Sequence, residues 1–175
     1  MTTWQTWPSA PQPPCIDARA FRDALGAFAT GVAFVTTVVE GEPAGLIVNS
    51  LASVSLEPAL VSFCASRTSI TWSRMRGAGR LGVNILASRH EPFVRRAAPA
   101  GADRFAGLRW RLVRGVPLLT DALAALECEV EAEHRAGDHW IVVARVDALR
   151  TTQERDPLVF FAGRLRTLAS ESGPS

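Results

Sequence analysis

Residues 126–133 read LECEVEAE, a strict alternation between apolar or small side chains and glutamates. An extended strand points successive side chains to opposite faces, so this period of two predicts a strand with the glutamates facing water. Residues 135–138 suit a turn, and residues 140–149 resume an alternating pattern that includes Arg145 and Asp147. The sequence therefore predicts an antiparallel hairpin in which Arg145 faces the glutamate row.

Other segments rich in β-branched and apolar residues predict strands at residues 32–39, 45–49, 58–65, 80–86 and 158–161. Short helices are predicted at residues 17–28, within 66–76 and at 90–98, with Asp17 and Ser69 as candidate N-caps. Residues 99–117 are expected to be irregular. Because the strands come as hairpins rather than in alternation with helices, we expect a mainly β fold, an antiparallel barrel with a few short peripheral helices.

The length of 175 residues suits one folded domain. We expect that domain at residues 17–169, after a flexible, proline-rich arm at 1–16 and before a polar tail at 170–175. No apolar run approaches the roughly 18 residues of a membrane span, and the first 15 residues lack the basic and apolar stretches of a secretory signal. We therefore expect no membrane association.

All 19 basic residues are arginines, and the 17 acidic residues bring the formal net charge to +2. Because these charges are scattered, nucleic-acid binding is not expected. The lack of lysine removes Schiff-base chemistry and the lysine of a phosphate loop. Cys15, Cys64 and Cys128 are odd in number and lack Cys-x-x-Cys spacing, so neither a disulfide framework nor a zinc site is expected, and the cysteines fit a reducing, cytoplasmic compartment.

Three segments have the composition of a ligand site. Residues 77–82 match Gly-x-Gly-x-x-Gly, but a helix is predicted before them and a strand after them, which reverses the dinucleotide-binding order and indicates a helix end and turn. Residues 45–58 suit either a polar heterocycle or an ordinary serine-rich connection. Residues 65–69, ASRTS, suit an anion, although Arg67 equally suits a solvated surface.

The three histidines carry little signal by themselves. His134 and His139 lack a third metal ligand at suitable spacing, and no Gly-x-Ser-x-Gly accompanies a histidine as in serine hydrolases. His90 stands alone at a predicted helix start. Each is interpreted as a surface or capping residue, and no metal is expected.

Taken together, the segments resemble the flavin reductase family, the split-barrel reductase components of two-component flavin-dependent monooxygenases. The resemblance covers about residues 21–168 and depends on seven segments in the same order. They are Phe21-Arg22 with FATGV at 28–32, VNS at 48–50 through SVSL at 53–56, VNIL at 83–86, RFAG at 104–107, GVPLL at 115–119, GDH at 137–139 and PLVFF at 157–161.

The resemblance implies a homodimeric split barrel that binds FAD or FMN near the subunit interface. It also implies hydride transfer from NADH or NADPH, with NADH preferred, and delivery of the reduced flavin to a partner monooxygenase. The implied cofactor-binding residues are Thr30, Val48, Asn49, Ser50, Leu51, Ser53, Ala65, Ser66, Arg67, Thr68, Asn84, Ile85, Leu86, Gly137, Asp138, His139 and Phe161. His139 is the implied catalytic residue, as the contact that orients the nicotinamide, and Phe160 and Phe161 wall the pocket.

Hydride transfer between two cofactors needs no protein nucleophile, metal or strong base. The protein must hold the rings about 3–3.5 Å apart and place donors where charge grows on the flavin. Backbone N–H groups of residues 49–53 are the first candidates, and the Arg67 guanidinium is the second. The alternatives are a non-catalytic flavin-binding accessory protein on the same barrel and a split-barrel oxidase with its own substrate. The turn at residues 137–139 favours the reductase.

Three positions depart from the family pattern. Ile47 stands where the family often has threonine, which removes a hydroxyl near the ring. His90 stands where glutamine is common and keeps a donor for a phosphate. Leu165 stands where tyrosine is common, so a ring-stacking contact is lost.

Overall fold

Twelve strands and three α-helices form most of the chain that this structure, a computed structural model, describes: residues 16–97, 103–154 and 156–168. The strands are β1 (Thr30–Gly31), β2 (Ala33–Val39), β3 (Glu42–Val48), β4 (Ala52–Leu56), β5 (Ala59–Ser66), β6 (Arg80–Ile85), β7 (Trp110–Val113), β8 (Val116–Leu119), β9 (Ala124–Ala136), β10 (His139–Thr151), β11 (Leu158–Phe161) and β12 (Arg164–Thr167). The helices are α1 (Ala18–Gly26), α2 (Ile70–Met75) and α3 (Glu91–Ala97), the last preceded by a 3-10 turn at Ser88–His90. The predicted arm before Ile16 and the tail after residue 169 lie outside the described residues, so the domain limits stay a prediction.

The alternating segment forms the predicted hairpin of β9 and β10. The two strands pair in antiparallel register around a turn at Gly137, whose positive φ of 59° suits glycine. On the outer face, an Arg145 Nη atom lies 2.6 Å from a Glu129 carboxylate oxygen and another lies 3.5 Å from Glu131. The prediction that Arg145 faces the glutamate row is confirmed.

Glu127 is an exception to the predicted solvent-facing row. Two irregularities in the register of β10 against β9 interrupt the alternation, one of them beside Glu127. Its side chain is buried, and Arg114 in the turn between β7 and β8 reaches it at 3.6 Å. The small hairpin of β7 and β8 covers this end of β9, so the pattern of the strand alone could not predict this burial.

Seven strands form one antiparallel sheet in the order β3-β2-β6-β9-β10-β5-β4. A smaller sheet orders β1-β11-β12, and β7 pairs with β8. The predicted mainly β, antiparallel fold with short helices is confirmed. Strand hydrogen bonds do not close the seven strands into a barrel, because β3 and β4 are its two edges.

The two edge strands β3 and β4 are nevertheless consecutive in the chain, and Ser50 lies in the segment that connects them. Ser50 Oγ accepts a hydrogen bond from the backbone N–H of Cys64 in β5, at 2.8 Å. One apolar core fills the space that the curled sheet surrounds, and α2 contributes Trp72 and Met75 to it. The end of β3 and the end of β5 are thereby held side by side.

Two elements were missed in the sequence. The stretch expected to be irregular contains the β7–β8 hairpin, whose two turn residues, Arg114 and Gly115, have positive φ values of 46° and 85°. Part of the serine-rich segment forms β4 at the sheet edge. Both β4 and β7 are short, and nearly all of their side chains are exposed, so neither carries the apolar run of a buried strand.

Both predicted helix caps are confirmed. Asp17 Oδ1 accepts from the N–H groups of Arg19 and Ala20 at 3.0 and 2.9 Å, and Ser69 Oγ accepts from Trp72 N at 3.1 Å. A helix precedes the glycine-rich motif and a strand follows it, as expected. Within the described chain, no helix has the length and apolar character needed to cross a membrane.

Candidate functional site

A cavity of about 840 Å³ lies between α1 and the ends of β3 and β11. Its lining combines aromatic and aliphatic walls with a few polar groups: Phe21, Leu25, Phe28, Asn49, Ser50 and Phe160. Cavities of this size with apolar walls and few polar groups suit a small organic ligand. The position follows from the fold, because the end of α1, the end of β3 and the end of β11 all border this space.

Helix α1 forms one wall without contributing a single buried residue to the core. Phe21, Leu25 and Phe28 recur at helical spacing and are 55, 54 and 72% exposed. The helix end is tied to the turn after β11 by a hydrogen bond from Ala162 N to Gly26 O at 2.9 Å. An apolar helix face is therefore presented to the cavity rather than to the protein interior.

The opposite wall is set by the pairing of β1 with β11. Thr30 lies opposite Phe160 in this pair, and both line the cavity. The hydroxyl oxygen of Thr30 is buried and has no hydrogen-bond partner within the described chain. Phe161 points to the other face of β11 and is not part of the lining, so the structure does not bring this predicted residue to the cavity.

A second cavity of about 470 Å³ adjoins the first, and Asn49 and Phe160 line both. Val48, a predicted site residue, lines it together with Ile47 and Leu165, two of the positions that depart from the family pattern. The threonine hydroxyl that Ile47 replaces and the tyrosine ring that Leu165 replaces would therefore both have lined this second cavity. Arg95 stands at this cavity, but its guanidinium is held by Glu91 at 2.6 Å.

The serine-rich loop after β5 continues from the Ser50 contact. Ser66 Oγ lies 2.9 Å from Thr68 Oγ1 and accepts from the Thr68 N–H at 3.2 Å. Ala65 is buried in the core, so only its backbone is available to a ligand. The Cys64–Ser50 hydrogen bond therefore connects the strand that leads into residues 65–68 with the lining of the first cavity.

Arg67 connects this loop to the turn at residues 137–139. Its backbone N–H donates to Asp138 O at 2.9 Å, and its guanidinium Nη1 donates to Gly137 O at 3.0 Å. His139 lies opposite Ser66 where β10 pairs with β5. The two predicted segments, far apart in sequence, form one cluster.

The His139 ring is oriented by its neighbour. Its Nδ1 lies 2.8 Å from Asp138 Oδ1. This hydrogen bond, followed by electrostatic attraction to His139 and more weakly to Arg22, holds the pKa of the Asp138 carboxyl below its ordinary value. Because the carboxylate is ionised at neutral pH, it accepts from Nδ1–H, which leaves Nε2 available to a ligand. Arg22, which contributes to this shift, also lines the first cavity.

Asn84 and Leu86, two predicted site residues, do not line either cavity. Both are fully buried, and the Asn84 amide donates to Phe34 O at 3.0 Å and accepts from Leu119 N at 2.7 Å. The Leu86 backbone is bonded to Val32 and Leu158. The reason is that β6 lies between β2 and β9, so both of its edges are paired and its end is buried in the sheet core. Asn84 supports the core and offers no free side-chain atom to a cofactor.

Three other predicted residues lie outside both linings. Leu51 is half-buried against the main core, Ser53 is exposed on the edge strand β4, and Ile85 is half-buried beside Asn84. His90 is buried, and its Nδ1 accepts from Ala87 N at 3.0 Å, so the capping interpretation is confirmed. Within the described ranges, no group of three or more His, Cys, Asp or Glu side chains is placed to hold a metal.

The sequence-based list of site residues omitted the α1 wall and the turn after β11, namely Phe21, Arg22, Leu25, Gly26, Ala162 and Gly163. Phe21, Leu25 and Phe28 recur at helical spacing in the sequence. Such spacing usually marks a helix face that packs against the core, so the sequence alone gives no reason to place this face at a cavity.

The site thus combines a cavity suited to a flat ring, a hydroxyl-rich loop and an oriented histidine, as in a protein that binds a nucleotide cofactor. A family model described as the flavin reductase like domain matches residues 25–169. The chain belongs to this family.

Individual relatives agree with this assignment. The chain is 41% identical over 150 residues to the reductase subunit HsaB of a flavin-dependent monooxygenase from Rhodococcus jostii, covering 85% of this chain and 77% of that protein. It is 42% identical over 154 residues to an NADH-dependent flavin reductase from a Rhodococcus species, covering 84% of each. The NADH:FAD oxidoreductase SgcE6 of Streptomyces globisporus, solved with NAD and FAD fragments, superposes with a TM-score of 0.82 at 32% identity, covering 89% of this chain and 95% of that one.

Proposed function

We propose that this chain is an NAD(P)H-dependent flavin reductase that transfers a hydride from NADH or NADPH to FAD or FMN. The reduced flavin is supplied to a partner monooxygenase. The observation that carries the proposal is the cavity beside Asn49, Ser50 and Phe160, which the Ser50–Cys64 hydrogen bond connects to the strand leading into the cluster of residues 65–68 and 137–139. The NADH-dependent relatives support NADH as the preferred nucleotide.

The residues of the cavity fit a flavin. Its ring system is flat and largely apolar, and Phe160 with the α1 face offers walls against which such a ring packs. The exposed Asn49 amide and the backbone near Ser50 offer polar partners for the ring edge. The orphaned Thr30 hydroxyl is a further polar group at this wall. When bound, the flavin supplies the hydride-accepting chemistry.

The loop at residues 65–68 suits the phosphate end of the cofactor. Ser66 and Thr68 present hydroxyls, and Arg67 retains donors beyond the one that binds Gly137 O. Exposed hydroxyls and one guanidinium bind a phosphate without enclosing it. A site of this kind fits a flavin that must leave after reduction, with an expected affinity of about micromolar.

His139 suits the nicotinamide nucleotide. Asp138 fixes the ring through Nδ1, so Nε2 keeps a constant orientation toward a bound nucleotide. The role is to orient the nucleotide, because hydride transfer between two cofactors requires no proton at this step.

The active unit is proposed to be a homodimer of split barrels. Two features support it: the exposed apolar face of α1, and the curled sheet whose edges approach at Ser50. A second copy laid against α1 would remove Leu25 and Phe28 from water and cover the cavity. A cytoplasmic location also stays a proposal, supported by the free thiols of Cys64 and Cys128.

The direct test is oxidation of NADH, followed at 340 nm under air, by the purified protein with FAD or FMN. We expect flavin-dependent oxidation that is faster with NADH than with NADPH. Omission of flavin is the control. A flat trace with both flavins and both nucleotides would exclude the reductase, and flavin binding without oxidation would identify a non-catalytic flavin-binding protein instead.

A further inference from the structure

Arg104 joins three separate elements through one half-buried guanidinium. Nη1 donates to Gly45 O in β3 at 2.8 Å and to Thr71 Oγ1 in α2 at 2.7 Å. Nε donates to Ala97 O at the end of α3 at 3.3 Å. Only arginine presents several donors in a rigid fork, so this geometry is specific to its guanidinium.

The segment that carries Arg104 is itself fixed. Asp103 Oδ1 accepts from the backbone N–H groups of Phe105 and Ala106 at 2.9 and 3.2 Å, which closes a local turn. Phe105 is buried with its ring centroid 5.3 Å from Phe34. Arg104 is therefore held on both sides, and its guanidinium acts as a rigid link rather than a mobile surface group.

The link to Gly45 matters because β3 is an edge of the large sheet. The Gly45 carbonyl faces the side on which no neighbouring strand lies, and Arg104 takes the place of that strand. A side chain at Gly45 would collide with the Phe34 ring, so β3 lies close against the core at this point. Arg104 thus holds the strand whose last residues line the flavin cavities.

A small cavity of about 250 Å³ shows how this link reaches the site. Arg104, Leu46, Ile47, Val94 and Ala97 line it, between β3 and α3. Ile47 and Val94 also line the 470 Å³ cavity beside Asn49 and Phe160. These two side chains separate the small cavity from the 470 Å³ cavity. The distance between β3 and α3, which Arg104 bridges, therefore sets the width of the 470 Å³ cavity.

We propose that Arg104 is a positioning residue for flavin binding, which fixes the β3 and α3 walls of the cofactor site without contacting the cofactor. This inference rests on the proposed flavin reductase function. The consequence is that flavin affinity depends on Arg104, although Ile47 and Val94 stand between Arg104 and the 470 Å³ cavity.

The test compares Arg104→Met with Arg96→Met. Methionine keeps much of the length of arginine and removes every donor. Arg96 is the matched control, since its guanidinium binds the same segment through Ala106 O at 2.6 Å but has no bond to β3. Dissociation constants for FMN and FAD are measured by flavin fluorescence, with KM, kcat and thermal unfolding in parallel.

We expect Arg104→Met to raise the flavin Kd and KM about tenfold, while kcat at saturating flavin stays within about twofold. Arg104→Lys, which can still reach Gly45 O and Thr71 Oγ1, should recover part of this loss. Arg96→Met should leave the Kd unchanged. A purely structural loss behaves differently, because a smaller folded fraction lowers kcat and leaves Kd as it is.

An unchanged Kd in Arg104→Met, or an equal increase in Arg96→Met, would overturn the inference. If Arg104→Met does not fold, Thr71→Val removes a single acceptor, and we expect a rise in Kd of about two- to threefold. No change in Kd in both Thr71→Val and Arg104→Lys would then overturn it. Failure of the wild-type protein to bind either flavin would instead contradict the proposed function.

Discussion

The β9–β10 hairpin and helix α1 are both amphipathic, yet they use their apolar faces in opposite ways. In the hairpin, Cys128, Val142 and Ala144 are completely buried, and burial raises the pKa of the Cys128 thiol to about 12. In α1, no residue is buried, and Phe21 and Leu25 remain more than half exposed. The same kind of pattern therefore stabilises the fold in one region and lines a cavity in the other.

This difference separates stability from binding. Each buried aliphatic side chain stabilises the folded state by roughly 1.5–3 kcal/mol relative to an exposed one, so the sheet core carries the fold. The cavity rim contributes much less to the stability of a single chain, and its exposed apolar area is available to a ligand or a second copy. Substitutions in the sheet core should thus lower the free energy of unfolding, whereas substitutions at the cavity rim should change ligand binding.

The largest effect is expected from a pair of asparagines, one inside the sheet core and one at the cavity rim. Asn84→Ala removes the side-chain hydrogen bonds to Phe34 O and Leu119 N in the core, and should lower the free energy of unfolding by about 3 kcal/mol. Asn49→Ala, at the exposed cavity rim, should leave stability nearly unchanged and raise the flavin Kd. Urea titration and flavin fluorescence separate the two. A raised Kd with normal stability in Asn84→Ala would restore the original sequence-based prediction.

These two asparagines also show what the sequence could not reveal. Each follows a valine at or near the end of an apolar strand, Val48-Asn49 and Val83-Asn84. Their environments differ because β6 has a neighbour on both sides whereas β3 is an edge strand. Strand order depends on long-range pairing, which local pattern does not encode. Local pattern did suffice for the hairpin, both helix caps and the limits of β11, because alternation, capping and turn chemistry are short-range.

A smaller effect should distinguish the two faces of one strand. Phe160→Ala removes a wall shared by both cavities and should raise the flavin KM about tenfold. Phe161→Ala changes the opposite face of β11, where the Phe161 side chain is 41% exposed, and should leave the flavin KM within about twofold of the wild-type value. Steady-state kinetics with NADH in excess measures both. Equal effects of the two substitutions would mean that the flavin contacts a different wall.

The Asp138–His139 turn should affect the nucleotide more than the flavin. His139→Ala is expected to raise the KM for NADH about fivefold and to change the flavin Kd less than about twofold. An unchanged KM for NADH would exclude the orienting role.

Asp138 adds a pH dependence of known sign to this prediction. Its folded-state pKa lies below the ordinary value of 3.8, so its contribution to stability is complete above that value and is lost as pH falls through the folded-state pKa. The stability difference between wild type and Asp138→Asn should therefore shrink as the pH falls from about 5 to below about 4. Urea titrations across this range measure it. A difference that instead grew on acidification would contradict the assigned hydrogen bond.

The smallest effect is expected on the outer face of the hairpin itself. Arg145 contacts Glu129, Glu131 and Asp147, and all four charges are open to solvent. Exposed ion pairs are screened by water and salt, so Arg145→Met should lower Tm by only about 1–2 °C at low salt and by less at 0.5 M NaCl. Val142→Ala, on the buried face of the same strand, should cost about 1–3 kcal/mol at either salt concentration. If Arg145→Met were the more damaging of the two, the hairpin would depend on its charged face, and the separation of a stabilising apolar core from a binding rim would not hold.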